Sequence, residues 1–124
     1  MRTSLLIFVL GAFVPFFFVE VASETLHNPK VVVDRLEDST QKVIDETKDS
    51  GVKAKLIQAR ADLLGEIYRW HLAVEGRVKR VQMHYDKVKK GTSPFIDAAS
   101  TQNKVDLHDI LDQMYRWTRF AKRG

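Results

Sequence analysis

Between residues 55 and 90 the apolar positions fall into helical order. Leu56, Ala59, Leu63, Ile67, Trp70, Val74, Val78, Val81, Tyr85 and Val88 recur at steps of three and four, the spacing that lines side chains along one face of an α-helix. Ile67, Val74, Val81 and Val88 stand seven apart, Leu63 and Trp70 share a second such row, and Leu64, His71, Val78 and Tyr85 a third. The pattern predicts one helix over 53–90. At 1.5 Å per residue the apolar seam spans roughly 50 Å. A helix of that length in a short chain predicts coiled-coil-like packing. Gly65 and Gly76 lie inside it. Each costs about 1 kcal/mol relative to alanine, and each either admits a close neighbour or marks a bend.

Two further helices flank this segment. Val32, Val33, Leu36, Thr40, Val43, Ile44 and Thr47 form a thin apolar stripe that predicts a helix over 29–49. Asn28 can accept the free N–H groups of its first turn, and Pro29 suits a position with no N–H to satisfy. The residues "KDSG" close it, with Gly51 available for a left-handed turn. After residue 90, Gly91 stops the central helix and Ser93-Pro94 starts a new turn, leaving a short helix over 95–99. Leu107, Ile110, Leu111, Met114, Trp117, Thr118 and Ala121 then predict a last helix over 103–121. No stretch alternates as a strand does. The expected fold is all-α: an antiparallel bundle or long helical hairpin of three principal helices, built from residues 24–124 as a single domain.

The first 23 residues stand apart from that domain. Arg2 precedes fourteen uncharged residues, 5–18, and Val21 and Ser23 supply small side chains three and one before a cut. This is the plan of a signal peptide cleaved between Ser23 and Glu24, so the mature chain is expected to be secreted and extracellular. A membrane-spanning helix needs about 20 apolar residues, whereas this run is shorter, contains Pro15 and is closed by Glu20. The mature chain holds no cysteine. Secreted domains of this size often rely on disulfides, so packing, self-association or a bound surface must replace them.

Charge adds an asymmetry that the net value of +4 hides. Residues 29–50 carry four basic and six acidic side chains, residues 51–90 ten basic and four acidic. Segments of opposite sign favour lying side by side. A basic patch left uncovered favours anionic lipid, glycan or protein. An exported chain with no nucleic-acid motif is not expected to bind nucleic acid.

Catalytic material is sparse. His71 and Glu75 stand one turn apart, as do His108 and Asp112, but a closed zinc site needs about four ligands. There is no zinc-protease motif, phosphate loop or nucleophile elbow. The expectation is a non-catalytic protein without cofactor or metal. The aromatics are more informative. Tyr115, Arg116, Trp117, Arg119 and Phe120 interleave aromatic rings with guanidinium groups, as in a helix that lies on an anionic membrane surface. The same spacing also fits Met114, Trp117 and Ala121 packing inward, with Phe120 the residue that fits a core least well.

The stretch Arg77-Val78-Lys79-Arg80 has two readings as well. It resembles a site for a secretory protease that cuts after paired basic residues. In the predicted helix, Lys79 and Arg80 face water, Arg77 borders the apolar stripe, and cutting would require several turns to melt. The sequence therefore favours a secreted helical interaction protein that binds a protein partner or itself through a bundle face. An anionic-lipid binder working through the last helix comes second, and a precursor cut after Arg80 third.

Overall fold

The computed structural model describes residues 28–123. The expected leader and its cut between Ser23 and Glu24 lie outside the described residues. Among these the protein is all-helical, with no strand, and its helices are α1 (Pro29–Glu46), α2 (Ser50–Val74), α3 (Val81–Ala98) and α4 (Thr101–Arg123). There are thus four principal helices where three were expected.

The difference lies in the central segment. The single helix expected over 53–90 is two helices, α2 and α3, joined by a reversal at residues 75–80. Gly76 sets the reversal. Its φ of +79° lies in the left-handed region, which costs side-chain-bearing residues about 1–2 kcal/mol. In that conformation the Arg77 N–H donates to the Leu72 carbonyl at 2.9 Å and the Gly76 N–H to the Ala73 carbonyl at 3.0 Å. These bonds satisfy carbonyls that the end of α2 would otherwise leave open. The seven-residue rows survive, but they face each other across a hairpin. Leu63, Ile67 and Trp70 on α2 and Val81, Tyr85 and Val88 on α3 are all buried, while Val78, between them, is exposed in the turn. A continuous rod would present its seam to whatever lay alongside; the hairpin covers that seam with the chain itself.

The second correction concerns Gly91 and Pro94, which were expected to end a helix and do not. α3 runs through both to Ala98. Pro94 removes one helical hydrogen bond at a cost of about 3 kcal/mol. Burying a side chain such as Phe95 returns about 1.5–3 kcal/mol, and Thr92 and Phe95 continue the stripe of Val88 with no exposed surface. A Cβ on Gly91 would lie 3.0 Å from Leu63 Cδ1. The close helix approach therefore belongs to Gly91, and Gly65 faces open space. Gly51 sits in the first turn of α2 and makes no left-handed turn.

Caps define the remaining ends. Asn28 Oδ1 accepts from the Lys30 N–H at 3.0 Å with Pro29 in the first turn, as the sequence predicts. Asp49 Oδ1 accepts from the Val52 N–H at 2.9 Å and starts α2. Ser100 Oγ accepts from the Asn103 N–H at 3.4 Å in the first turn of α4.

Cross-helix contacts give the directions. Arg35 of α1 reaches Asp109 and Gln113 of α4, while Glu46 accepts from Asn103. Position numbers rise on one helix as they fall on the other, so α1 and α4 are antiparallel. Leu63 beside Gly91 sets the same relation for α2 and α3. Trp70, fully buried, donates from Nε1 to Thr118 Oγ1 at 3.0 Å and pins α2 to α4. Arg60 of α2 donates to the Glu37 carbonyl and to Thr40 of α1.

The glycines make a paired test. Gly76→Ala should lower unfolding free energy by about 1–2 kcal/mol through left-handed strain. Gly65→Ala should raise it by about 1 kcal/mol through helix propensity. Urea denaturation measures both, and a Gly76→Ala chain as stable as the parent would remove Gly76 as the cause of the reversal.

Candidate functional site

The reversal brings three helix ends together. The last turn of α2, the turn at 75–80, the start of α3 and the last turn of α4 enclose an open cleft of about 360 Å³. Ala73, Val78, Val81 and Ala121 make its walls apolar, while Lys79, Arg80 and Lys122 line it with cations. No carboxylate among the described residues lines it. Among the described residues, Arg77, Lys79, Arg80 and Lys122 form no ion pair. No described carboxylate neutralises their charge. The start of α1 also lies at this end, because α1 runs antiparallel to α4 and begins at Pro29.

The basic triplet sits where the sequence did not predict it. Arg77, Lys79 and Arg80 were expected on a helix and instead occupy the turn, all exposed. Arg80 is left-handed with φ +66° and ψ +51°, and its side chain makes no capping bond to α3. Non-glycine residues adopt this conformation only occasionally.

The predicted contact residues of α4 divide between core and surface. Trp117 is half-buried against the core, and its ring centroid lies 6.4 Å from that of Phe120. Phe120 is 63% exposed, as its poor fit to the stripe anticipated. Tyr115 is partly exposed and packs on Tyr85 with centroids 5.5 Å apart, and the Arg119 guanidinium lies 5.9 Å from the Tyr115 ring. Arg116 pairs with Asp112 at 3.3 Å on the exposed surface. Such exposed pairs contribute at most about 1 kcal/mol.

Sequence reasoning missed Ala73, Val78, Val81, Ala121 and Lys122 as partners in one cleft. The available signal was Gly76, followed by Arg77-Val78-Lys79-Arg80 with one apolar residue in four. Only the chain reversal carries this stretch to the end of α4.

The histidines do not converge. His71 Nε2 lies 3.8 Å from Glu75 Oε2, His108 is exposed, and His84 is buried in α3. Among the described residues no group of three His, Cys, Asp or Glu is arranged to hold a metal ion. No described helix is long and apolar enough to cross a membrane. No family model matches the chain, and neither a curated protein nor a solved structure is detectably similar to it.

Tyr85 couples this region to alkaline pH. Its hydroxyl donates to the Leu111 carbonyl at 3.2 Å. Burial, and then the nearby Asp112, Asp86 and Tyr115, push its pKa above the ordinary 10.0. The protonated phenol is thus the form the fold favours, and its contribution is complete below pH 10.0. It is lost as pH rises through the higher folded value, because the unfolded chain ionises first. The urea midpoint should fall above pH 10.0, and Tyr85→Phe should flatten that fall. An identical alkaline decline in Tyr85→Phe would exclude Tyr85 as its source.

Proposed function

We propose that the protein is an exported, non-catalytic helical binding module that docks the basic end of its bundle on an anionic membrane surface. One observation carries this reading: the cleft with apolar walls and a cationic lining of Lys79, Arg80 and Lys122, with no carboxylate among the described residues that line it. Phe120 projects from the last turns of α4 near this end, 63% exposed. Cations next to an anionic leaflet contribute about 1 kcal/mol each. An aromatic ring at the headgroup boundary adds apolar burial. Together they supply two weak signals at one end of the bundle, the kind of combination that stable membrane attachment requires. Export is supported by the leader-like residues 1–23.

A protein partner with an acidic face is the second reading. Its specific support is Tyr115 with Arg119 over its ring, because Tyr and Arg are enriched where interfaces concentrate their binding energy. Self-association through a bundle face has less to work with. The apolar stripes of the four helices cover one another, and Val52, Ile57 and Val105 are the large apolar side chains left exposed toward the opposite end.

Co-sedimentation with anionic and neutral vesicles tests the reading. Binding is expected to anionic vesicles only and to weaken with salt. Each of Lys79→Gln, Arg80→Gln and Lys122→Gln should lower affinity by about fivefold at low ionic strength, the equivalent of about 1 kcal/mol. Phe120→Ala should weaken it further. Failure to bind anionic vesicles would sink the membrane reading and leave the acidic protein partner.

A further inference from the structure

We infer that the α2–α3 turn is a proteolytic maturation site, cut between Arg80 and Val81 by an endoprotease whose acidic subsites read paired basic residues. The product is a two-chain bundle held together without a covalent link. This inference is independent of the membrane reading.

Recognition comes first. Lys79 and Arg80 form the basic pair immediately before the bond, and Arg77 adds a third cation three residues before Arg80. Such a protease binds its substrate as an extended chain, so a helical site must melt before it can be cut. The residues 75–80 lie between helices and are all exposed, and the three cations have no carboxylate partner among the described residues. They are free to enter acidic subsites without first breaking an ion pair.

The backbone favours opening on the far side of the bond. Arg80 caps α3 with no side-chain hydrogen bond and in a left-handed conformation. The first helical bond of α3 there runs from the His84 N–H to the Arg80 carbonyl at 3.1 Å. Val81, at the edge of burial with 9% of its surface exposed, is the first core contact to be displaced. Fraying one uncapped turn presents the bond and releases the left-handed strain. Water then adds across the Arg80 carbonyl carbon and the Val81 nitrogen. The C–N bond breaks, Arg80 becomes a carboxylate terminus, and Val81 takes the proton as an ammonium terminus.

The fold also decides where the chain is not cut. Lys89-Lys90 is a second basic pair, but it lies inside α3 between the fully buried Val88 and Thr92. Cutting there would require the core to open. A single nick is therefore expected, and no peptide is excised. One piece carries α1 and α2, the other α3 and α4. They remain joined by Trp70 to Thr118, Arg35 to Asp109 and Gln113, Glu46 to Asn103, and the shared core. With no cysteine in the sequence, packing alone holds them. Stability of the nicked form then depends on concentration, as for any two-chain fold.

The test is digestion of the folded full chain with a protease specific for paired basic residues, read by intact mass and native mass. The expected result is two fragments, one ending at Arg80 and one beginning at Val81, that travel as one species of the parent mass plus one water. The urea midpoint of the nicked form should shift with protein concentration. Arg80→Gln should abolish the cut, and the double variant Lys89→Gln/Lys90→Gln should leave its rate unchanged. Protein collected from cells that express it should carry the same Val81 terminus. The inference is overturned if the folded chain resists while a peptide spanning residues 75–84 is cut, if Lys89-Lys90 is cut equally fast, or if the cell-derived protein is intact at Arg80.

Discussion

The fold turns on one backbone requirement: the chain must reverse after Val74. Gly76 meets it by adopting a φ of +79°, and the two N–H groups that follow Glu75 close the end of α2. Everything downstream depends on that geometry. The reversal pairs α2 with α3, lets Gly91 approach Leu63, and places α3 where Tyr85 can reach Leu111. Without it the apolar seam of residues 55–90 would need another chain to cover it. The structure instead replaces a long intermolecular zipper with a short intramolecular one, and loop closure over a handful of residues costs little entropy.

Polar groups inside the bundle follow a consistent economy. Thr40, Thr92 and Thr118 are fully buried, and each hydroxyl donates to a carbonyl four residues earlier in its own helix. This lets a hydroxyl occupy a core position without a desolvation penalty. Two of them also accept across helices, Thr40 from Arg60 and Thr118 from Trp70. The local bond satisfies the donor, and the free lone pair selects the neighbour. Two buried atoms are exceptions among the described residues: Glu66 Oε2 and His84 Nδ1 lack a protein hydrogen-bond partner. Both lie on the α2–α3 hairpin, Glu66 on α2 and His84 on α3.

The basic end is a product of topology rather than of any one segment. Its cations come from the turn and from the last turn of α4, separated by some forty residues of sequence. At the other end, Asn103 meets Glu46 and Asp49 caps α2. No described helix carries an acidic residue in its first turn, so the separation of charge comes from how the chain folds back and not from the helix dipoles. Lys79, Arg80 and Lys122 therefore meet at one end of the bundle only because the chain reverses.

The sequence by itself determined the helical class, the faces of α1 and α4, the cap at Asn28-Pro29 and the absence of disulfide staples. These depend on local spacing and local chemistry, and local rules suffice for them. It also marked Phe120 as the side chain with no place in the core. Tertiary structure decided the rest. Seven-residue spacing around residues 55–90 is equally compatible with a rod and with a hairpin, because both bury the same stripe. The choice fell to Gly76, whose left-handed conformation a periodicity count does not register. At Gly91 and Pro94 local rules called for a stop, and the burial of Thr92 and Phe95 carried the helix through. The same reversal moved Arg77, Lys79 and Arg80 from a helix surface to an exposed turn. Their chemistry was visible in the sequence, but their accessibility was set by which surfaces the folded chain had already covered.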